Sequence, residues 1–557
     1  MTSAKPGPTN GWTPQLAKLS LSRLTTPLIA VTLLLFISAA TVLPFAALIQ
    51  HTGHLSFLEV LTDVWIQRVI KFSIWQALLS TVLSIGLAIP VAIALSREPR
   101  FPGRRWLLNT FSLSLVMPTL VAIFGIVAVF GRTGWANQAL EFIGLPQMSL
   151  YGLNGILLAH VFFNMPLAAR IFLVALDGIP PSHWRLAAQL GLAGLSRTKQ
   201  LEWPAIRTHI AGTAILIFAL CLTSFAIVLT LGGGPRATTI EVAIYQALRF
   251  DFNISAAVTL ALVQLLICVA ALVLGGVWKQ NIPLAFSSLD TEDNWRPSTH
   301  WRSLNALIII SASTFVLFPV AGLLVSAINP SLPDVLQNPT TLKAFFNTLI
   351  VALSSAFLSL IMAVGVLLIS RHCHYRLHWL YVSQSVRWLG NLILVMPPLV
   401  LGTGLFLLLR PYADVFSLAL LLVVLINALL ALPFVLRILE APIHQLASTQ
   451  DRLVQSLGIT GWSRFRWLDW PVLKKPTGFA LGIAASLSAG DLGAIALFGS
   501  DRVTTLPLLL YQRMGSYRLH EAAVTAVLLL LTCLFLFLFS QWIVHKRVHP
   551  FPKERTA

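Results

Sequence analysis

One ionisable side chain, Asp491, interrupts an apolar stretch that has the length of a membrane-spanning helix, about 20 residues. A carboxylate within a span is costly unless it faces a cavity or a partner, so Asp491 marks a candidate path for a solute. In such a path it would attract a cation, and the faces of Trp or Phe rings would add cation–π contact. The structural alternative is that Asp491 bonds Ser486, Ser488 or a helix end inside the bundle.

Three further polar side chains lie within predicted spans. His160 and Asn164 share one apolar stretch, and Asn427 occupies the position equivalent to His160 in a later stretch. Such groups more often bond neighbouring helices, each for about 0.6 kcal/mol, than contact a solute. We keep all three beside Asp491 as candidates for the solute path. The histidines and cysteines lack the companions of a defined metal site, so no metal is expected.

The elements that position these residues are predicted to be membrane helices. Hydrophobic residues make up 57% of the chain and charged residues only 10%, whereas soluble domains carry roughly a quarter charged residues. Stretches this long and apolar predict an all-α polytopic membrane protein with about 12 transmembrane helices. The predicted spans are Pro27–Ile49, Phe72–Ser96, Asn109–Gly131, Gly152–Ala169, Ala211–Leu231, Ser255–Trp278, Leu304–Ile328, Phe345–Ser370, Leu389–Leu409, Phe416–Leu436, Thr477–Phe498 and Ala522–Val544.

The formal net charge of +18 is distributed according to the side of the membrane. Most Lys and Arg residues fall in segments that share one side when both termini are placed in the cytoplasm, which is the positive-inside pattern. Topology and contact with anionic lipid therefore account for the basic charge. Membrane lipid is an expected partner, and nucleic acid is not.

The second half of the chain repeats the first. Met117-Pro118 matches Met396-Pro397, and Pro166 matches Pro433. Equivalent spans are six apart, an even number, so the halves form two parallel six-helix repeats with a pathway expected between them. The predicted segments are an N-terminal arm 1–26, a first half 27–278 with its core at about 71–276, a linker 279–303, a second half 304–544 with its core at about 344–543, and a tail 545–557.

A long polar loop occurs at the same place in each half, over 177–209 and 440–475. The same number of residues separates Gly191 from Pro204 and Gly458 from Pro471. Glycine permits a turn with positive φ, and proline suits the first turn of a following helix. We expect a short helix along the cytoplasmic face that docks onto a cytoplasmic partner. An ordinary interfacial helix is the alternative.

Both loops resemble the EAA loop of ABC-importer permeases, the binding-protein-dependent transport system inner-membrane component family. The leading Glu of the motif is replaced by Arg185 and Arg452. In the family this loop forms the coupling helix that sits in a groove of the ATP-binding subunit. The resemblance implies that role for Ala187, Gly191, Pro204, Val454, Gly458 and Pro471. The matching positions are Leu186, Ala187, Gly191, Leu201, Trp203 and Pro204, and again Leu453, Val454, Gly458, Leu468, Trp470 and Pro471.

Longer strings narrow the resemblance to the fused two-half permeases of thiamine importers in Gram-negative bacteria. It implies a type I ABC-importer permease fold in the inner membrane, a separate ATP-binding subunit acting as a homodimer, and a periplasmic thiamine-binding protein. The substrate would be thiamine and its phosphates, with the thiazolium cation drawn to Asp491. The chain has no G-x-x-x-x-G-K-[ST] motif, so we expect no ATPase site or cofactor of its own. The strings run from Phe72 to Ala77, Tyr151 to Asn164, Leu231 to Ala247 and Leu506 to Tyr517.

Two other interpretations stay open. Permeases for ferric iron or another small solute share the architecture and a Ser-Phe…Leu-Gly-Gly element, here Ser224-Phe225 and Leu231 to Gly233. An ion-coupled secondary transporter also often has two sets of six spans. That class usually needs ionisable groups in mid-membrane, and only Asp491 is available.

Overall fold

A computed structural model describes residues 13–52, 62–101, 103–104, 106–108, 110–111, 117–274, 299–375, 377–393, 396–457, 459, 461–499 and 503–545. The first half contains α1 (Thr13–Thr52), α2 (Val64–Arg97), α3 (Thr119–Phe130), α4 (Trp135–Phe142), α5 (Leu153–Asp177), α6 (Pro181–Gln189), α7 (Gly194–Arg197), α8 (Trp203–Leu222), α9 (Phe225–Leu231), α10 (Ile240–Arg249) and α11 (Ile254–Leu274). The second half contains α12 (Thr299–Ala327), α13 (Leu332–Gln337), α14 (Pro339–Tyr375), α15 (Leu380–Leu392), α16 (Pro398–Leu409), α17 (Ala419–Ser456), α18 (Gly461–Arg464), α19 (Trp470–Gly490), α20 (Gly493–Phe498), α21 (Leu506–Gly515) and α22 (Leu519–His545).

The prediction of an all-α polytopic chain is confirmed. Within the described ranges, 11 helices are long and apolar enough to cross a membrane. The remaining predicted span, Leu389–Leu409, is not one helix, because α15 ends at Leu392 and α16 begins at Pro398. Pro397 at the N-cap of α16 is extended, with φ −61° and ψ 137°, as expected for a residue that precedes another proline.

Three other predicted spans are also discontinuous. Asn109–Gly131 yields the 12-residue α3, which starts after Pro118. Ala211–Leu231 is interrupted at Ser224, between α8 and α9. Thr477–Phe498 is interrupted at Asp491, between α19 and α20. The interruptions occupy equivalent places in the two halves, so the third and fifth spans of each repeat are broken helices. Non-helical backbone at membrane depth occurs where protein buries it or a cavity lies beside it.

The fourth span of each half occupies the centre of its repeat. In the first half α5 packs against α2 and α8, and in the second half α17 packs against α14 and α19. The interior of these bundles carries small polar residues as well as aliphatic ones, including Ser73, Thr81 and Ser355, all buried. Small side chains allow close helix approach, which is how membrane bundles pack without a hydrophobic driving force.

The first helix of each half lies against the opposite half. Helix α1 packs on α16 and α14, and α12 packs on α3 and α2. Gly125 of α3 and Gly322 of α12 allow this contact, since a Cβ on Gly125 would lie 2.3 Å from the carbonyl oxygen of Pro319. The two repeats are therefore interlocked through their first helices, which the repeat in the sequence does not predict.

Candidate functional site

The loop after the fourth span of the first half contains a separate short helix, α6, followed by a glycine turn. Gly191 has φ +68°, the left-handed conformation that such a turn needs, and open space surrounds it. Ala187 is buried on the inner face of α6, whereas Leu186 and Leu190 are exposed. Pro204 is the second residue of α8, where its missing N–H costs nothing. The loop therefore presents apolar side chains outward while small ones hold it in place.

The second loop differs at its start. Helix α17 continues without interruption from the fourth span to Ser456, so no separate short helix forms before the turn. Val454 is buried and Leu457 is exposed, which repeats the pattern of Ala187 and Leu190. Pro471 is again the second residue of the following helix, α19. Gly458 lies outside the described residues.

Both loops enter the fifth span through a π-helical turn. The turns are Thr198–Glu202 and Phe465–Asp469, five residues each and equivalent in the repeat. The backbone N–H of Trp203 donates to the carbonyl of Thr198, and that of Trp470 donates to the carbonyl of Phe465. A π-turn inside an otherwise α-helical element is rare and often marks a functional site.

The structure places Asp491 at the interruption of the fifth span in the second half. Its Oδ1 accepts a hydrogen bond from the N–H of Gly493 at 3.2 Å, and Oδ2 accepts one from Ala494 at 3.0 Å. Asp491 therefore caps the N-terminus of α20, which carries a favourable partial positive charge for a carboxylate. Of the three structural partners considered above for Asp491, namely Ser486, Ser488 and a helix end, the side chain bonds the helix end.

A small polar cavity adjoins Asp491. It has room for about one water molecule. Asn427 lines it, and its Nδ2 donates to the Oγ of Ser488 at 3.1 Å. The Oδ1 of Asn427 has no hydrogen-bond partner. The remaining polar lining residues are Thr348 and Thr505.

His160 and Asn164 occupy the equivalent region of the first half. The Nδ1 of His160 lies 2.8 Å from the Oγ of Ser80, and its Nε2 lies 2.7 Å from the Oγ of Ser224. The Nδ2 of Asn164 donates to the Sγ of Cys221 at 3.2 Å. Each candidate thus bonds a neighbouring helix next to the interruption. The structure does not bring His160 and Asn164 into the cavity with Asp491 and Asn427.

Glu241 was not among the residues predicted from the sequence. It is fully buried in α10, where its Oε1 accepts from the Nε2 of Gln264 at 2.9 Å and its Oε2 has no partner. It lies close enough to Asp491 for the two charges to interact. Helix α10 packs against α20, so the two carboxylates come from opposite halves. The sequence did contain a signal for Glu241, because it is an acidic residue among apolar ones within the string from Leu231 to Ala247.

Sequence comparisons point to one family. The model for "Binding-protein-dependent transport system inner membrane component" matches residues 84–280 and 376–550. The thiamine transport system permease protein of Brucella abortus is 42% identical over 480 residues, 86% of this chain and 88% of that protein. The same protein of Salmonella typhimurium is 42% identical over 92% of this chain and 94% of its own length. That of Haemophilus influenzae is 43% identical over 87% and 90%.

Proposed function

We propose that this chain, which belongs to the family of inner-membrane components of binding-protein-dependent transport systems, is the permease of a thiamine importer. It is a multi-pass inner-membrane protein. The observation that carries the proposal is 42% identity to thiamine permeases, sustained over 92% of the chain. A match of this extent includes both repeats and both cytoplasmic loops. A shared architecture alone would not identify the solute, whereas sustained identity to thiamine permeases favours thiamine.

The partners follow from the family and from the repeat. Importers of this family work with an ATP-binding subunit and a solute-binding protein. One chain supplies two equivalent loops, so we propose that a homodimer of ATP-binding subunits docks on them, around Gly191 and Gly458. Exposed apolar side chains, Leu186 and Leu190 in one loop and Trp462 and Trp467 in the other, fit such a contact. A periplasmic thiamine-binding protein would deliver the solute to the other face.

The proposed mechanism is alternating access. ATP binding closes the partner subunits, the loops move with them, and the path between the halves opens outward. This requires the cytoplasmic orientation of both termini, which the distribution of basic residues favours. The halves proposed for this movement are 27–278 and 304–544, joined by the linker 279–303. Their interlocked first helices would make the two halves move in a concerted way.

For the path itself, we propose that Asp491 attracts the thiazolium cation. Its position at an interrupted helix, where α20 packs against α10 of the first half, supports this role, as does the adjoining cavity lined by Asn427. Glu241 would add a second carboxylate from the first half. His160 and Asn164 would act less directly, by holding the equivalent interruption in the first half closed.

Two substitutions separate the charge of Asp491 from its capping bonds. Asparagine caps helices about as well as aspartate, so Asp491→Asn removes the charge and keeps one acceptor oxygen for the two N–H groups, whereas Asp491→Ala removes the charge and both acceptors. If the charge matters, both variants should lower thiamine uptake similarly while assembly with the ATP-binding subunit stays intact. If Asp491→Asn retains full uptake and only Asp491→Ala loses it, the residue is a cap and has no role in the path.

Reconstitution tests the function. The chain would be purified with its ATP-binding subunit, placed in liposomes and supplied with the thiamine-loaded binding protein on the outer face and ATP inside. The proposal predicts accumulation of labelled thiamine that needs ATP and persists when ionophores remove ion gradients. Accumulation that needs an ion gradient and no ATP would support the secondary-transporter interpretation. ATP-dependent accumulation of ferric iron without thiamine would keep the architecture and overturn the substrate.

A further inference from the structure

An ion cluster is buried where the first cytoplasmic loop meets the membrane helices. Glu202, at the end of the π-turn, has a fully buried side chain and faces two arginines. The Nη2 and Nε of Arg97 donate to its two oxygens at 2.6 and 2.8 Å. The Nε of Arg197 lies 3.1 Å from Oε1. A bidentate pair of this kind fixes both the distance and the relative orientation of the guanidinium and the carboxylate.

The cluster ties separate elements to one point. Arg97 is the last residue of α2, and its Nη2 also donates to the Oγ1 of Thr198 at 2.7 Å and to the carbonyl of Gly194 at 3.2 Å. Arg197 stacks 4.4 Å from the ring centre of Trp184, which belongs to α6. The end of the second span, the loop helix and the start of the fifth span are therefore joined through Glu202 and its partners.

The opposite half closes this cluster. Trp301, near the start of α12, lies with its ring 5.6 Å from the guanidinium carbon of Arg97. The same ring covers Gly194, where a Cβ would lie 2.7 Å from its Nε1. Because α12 belongs to the second half but packs on α2 and α3, a shift of the loop at Gly194 would press directly on a helix of the other repeat.

The second half contains the equivalent residues in a more open setting. Arg371, Arg464 and Asp469 correspond to Arg97, Arg197 and Glu202 in the repeat. The Nε of Arg464 lies 3.3 Å from the Oδ2 of Asp469, and their side chains are 18% and 15% exposed, against 2% and 0% for Arg197 and Glu202. Asp469 lies within range of the charge of Arg371. Each of the three charged residues of the first cluster therefore has an equivalent in the second half, whose substitution serves as a matched control.

We infer that Glu202 is a positioning residue of transport, which makes the first cytoplasmic loop move as one body with α2 and with Trp301 of the opposite half. The inference rests on the proposed function, since it takes the loop as the docking site of the ATP-binding subunit. Asp469 does the same at the second loop with less rigidity. Loss of the Glu202 charge therefore separates ATP hydrolysis from solute movement, because the loop shifts without carrying the helices along.

The test compares Glu202→Gln with Asp469→Asn in the reconstituted complex, measuring thiamine imported per ATP hydrolysed. Coupling between sites usually changes an equilibrium by about 5- to 150-fold, and we expect the ratio to fall about tenfold in Glu202→Gln and less than about threefold in Asp469→Asn. Glu202→Asp, which gives the first half the acid of the second, should recover most of the ratio.

The experiment distinguishes failure of the inference about Glu202 from failure of the proposed thiamine transport on which it rests. If the unsubstituted chain imports no thiamine, the proposed function fails. If it imports thiamine and Glu202→Gln keeps the ratio of import to hydrolysis, or lowers both activities in parallel with the amount of assembled complex, Glu202 is merely structural. Should Glu202→Gln fail to assemble, the ratio in Trp301→Leu decides, since this variant keeps the buried charges paired and removes the contact with the opposite half. An unchanged ratio in Trp301→Leu overturns the inference.

Discussion

The two junctions between the repeated loops and the fifth spans of this permease share the same kinds of residue and differ in how far the protein encloses them. Each has two arginines, one acid and a π-turn before a Trp-Pro pair. In the first half two tryptophans cover the ions, whereas in the second half the acid and its partner arginine are partly open to solvent. The repeat in the sequence therefore preserves the ion pair at each junction, while the side chains packed around each pair determine how rigid the junction is.

The loops that lead to these junctions differ as well. In the first loop Pro180 and Pro181 separate α5 from α6, because Pro181 lacks an N–H and holds Pro180 extended at ψ 141°. Ala447 and Ser448 stand at the equivalent positions, and α17 continues through them. The first loop thus has a hinge before its short helix and a closed junction after it. The second has a continuous helix and an open junction.

The largest difference between the halves should appear when each acid is removed. Taking one partner from a buried ion pair costs about 3–5 kcal/mol, because the remaining charge is buried and uncompensated. Pairs that are open to solvent contribute about 1 kcal/mol or less, and the Arg464–Asp469 pair, with side chains 18% and 15% exposed, lies between these limits. We therefore expect Glu202→Ala to lower the free energy of unfolding in detergent by more than Asp469→Ala does. Equal losses would show that enclosure does not distinguish the two junctions.

A glycine pair within the first loop sharpens the role of Trp301. Gly191 and Gly194 both have positive φ, +68° and +56°. A left-handed non-glycine residue costs about 1–2 kcal/mol, which is the loss expected for Gly191→Ala. Gly194→Ala adds a collision with the ring of Trp301, and overpacking costs about 1–3 kcal/mol more. Thermal unfolding of the two variants measures the difference. If both lose the same amount, the ring does not hold the junction closed.

The smallest expected difference concerns the interrupted fifth spans. His160 bonds Ser80 and Ser224, and so links three segments, whereas the Asn427 side chain makes both of its bonds to Ser488, at the hydroxyl and at the backbone carbonyl. With about 0.6 kcal/mol for each bond between membrane helices, His160→Ala and Asn427→Ala should each destabilise the chain by about 1 kcal/mol. Denaturant titration of the purified variants compares the two losses. A clearly larger loss for Asn427→Ala would place the tighter interruption in the second half.

Much of the fold follows from the sequence. Long uncharged stretches predict membrane helices because backbone groups in lipid must bond within their own segment. The glycine turn at Gly191 and the helix starts at Pro204 and Pro471 follow from backbone restrictions that act locally. The interrupted spans were not predicted, since hydropathy does not distinguish a continuous helix from two short ones separated at Ser224 or Asp491.

The interlocked first helices and the closed junction depend on contacts between residues far apart in the chain. Arg97, Glu202 and Trp301 come from three segments, and nothing local to any of them indicates the others. A partial signal existed for the junction. An acid precedes Trp-Pro in both loops, and an arginine stands five residues before that acid in each, as Arg197 and Arg464 do. An acid and an arginine kept at the same spacing in both copies of an apolar repeat indicate an ion pair.

Uptake of labelled thiamine at nanomolar concentration, in cells that lack this chain and in cells to which it is restored, tests the central claim most directly. Labelled ferric iron serves as the parallel substrate, and a chain with Gly191 and Gly458 both replaced by bulky residues tests the loops. The account predicts that the chain restores thiamine uptake, leaves iron uptake unchanged and fails when the two glycines are replaced. Restored iron uptake without thiamine uptake would contradict the substrate, and full thiamine uptake by the substituted chain would contradict the role of the loops.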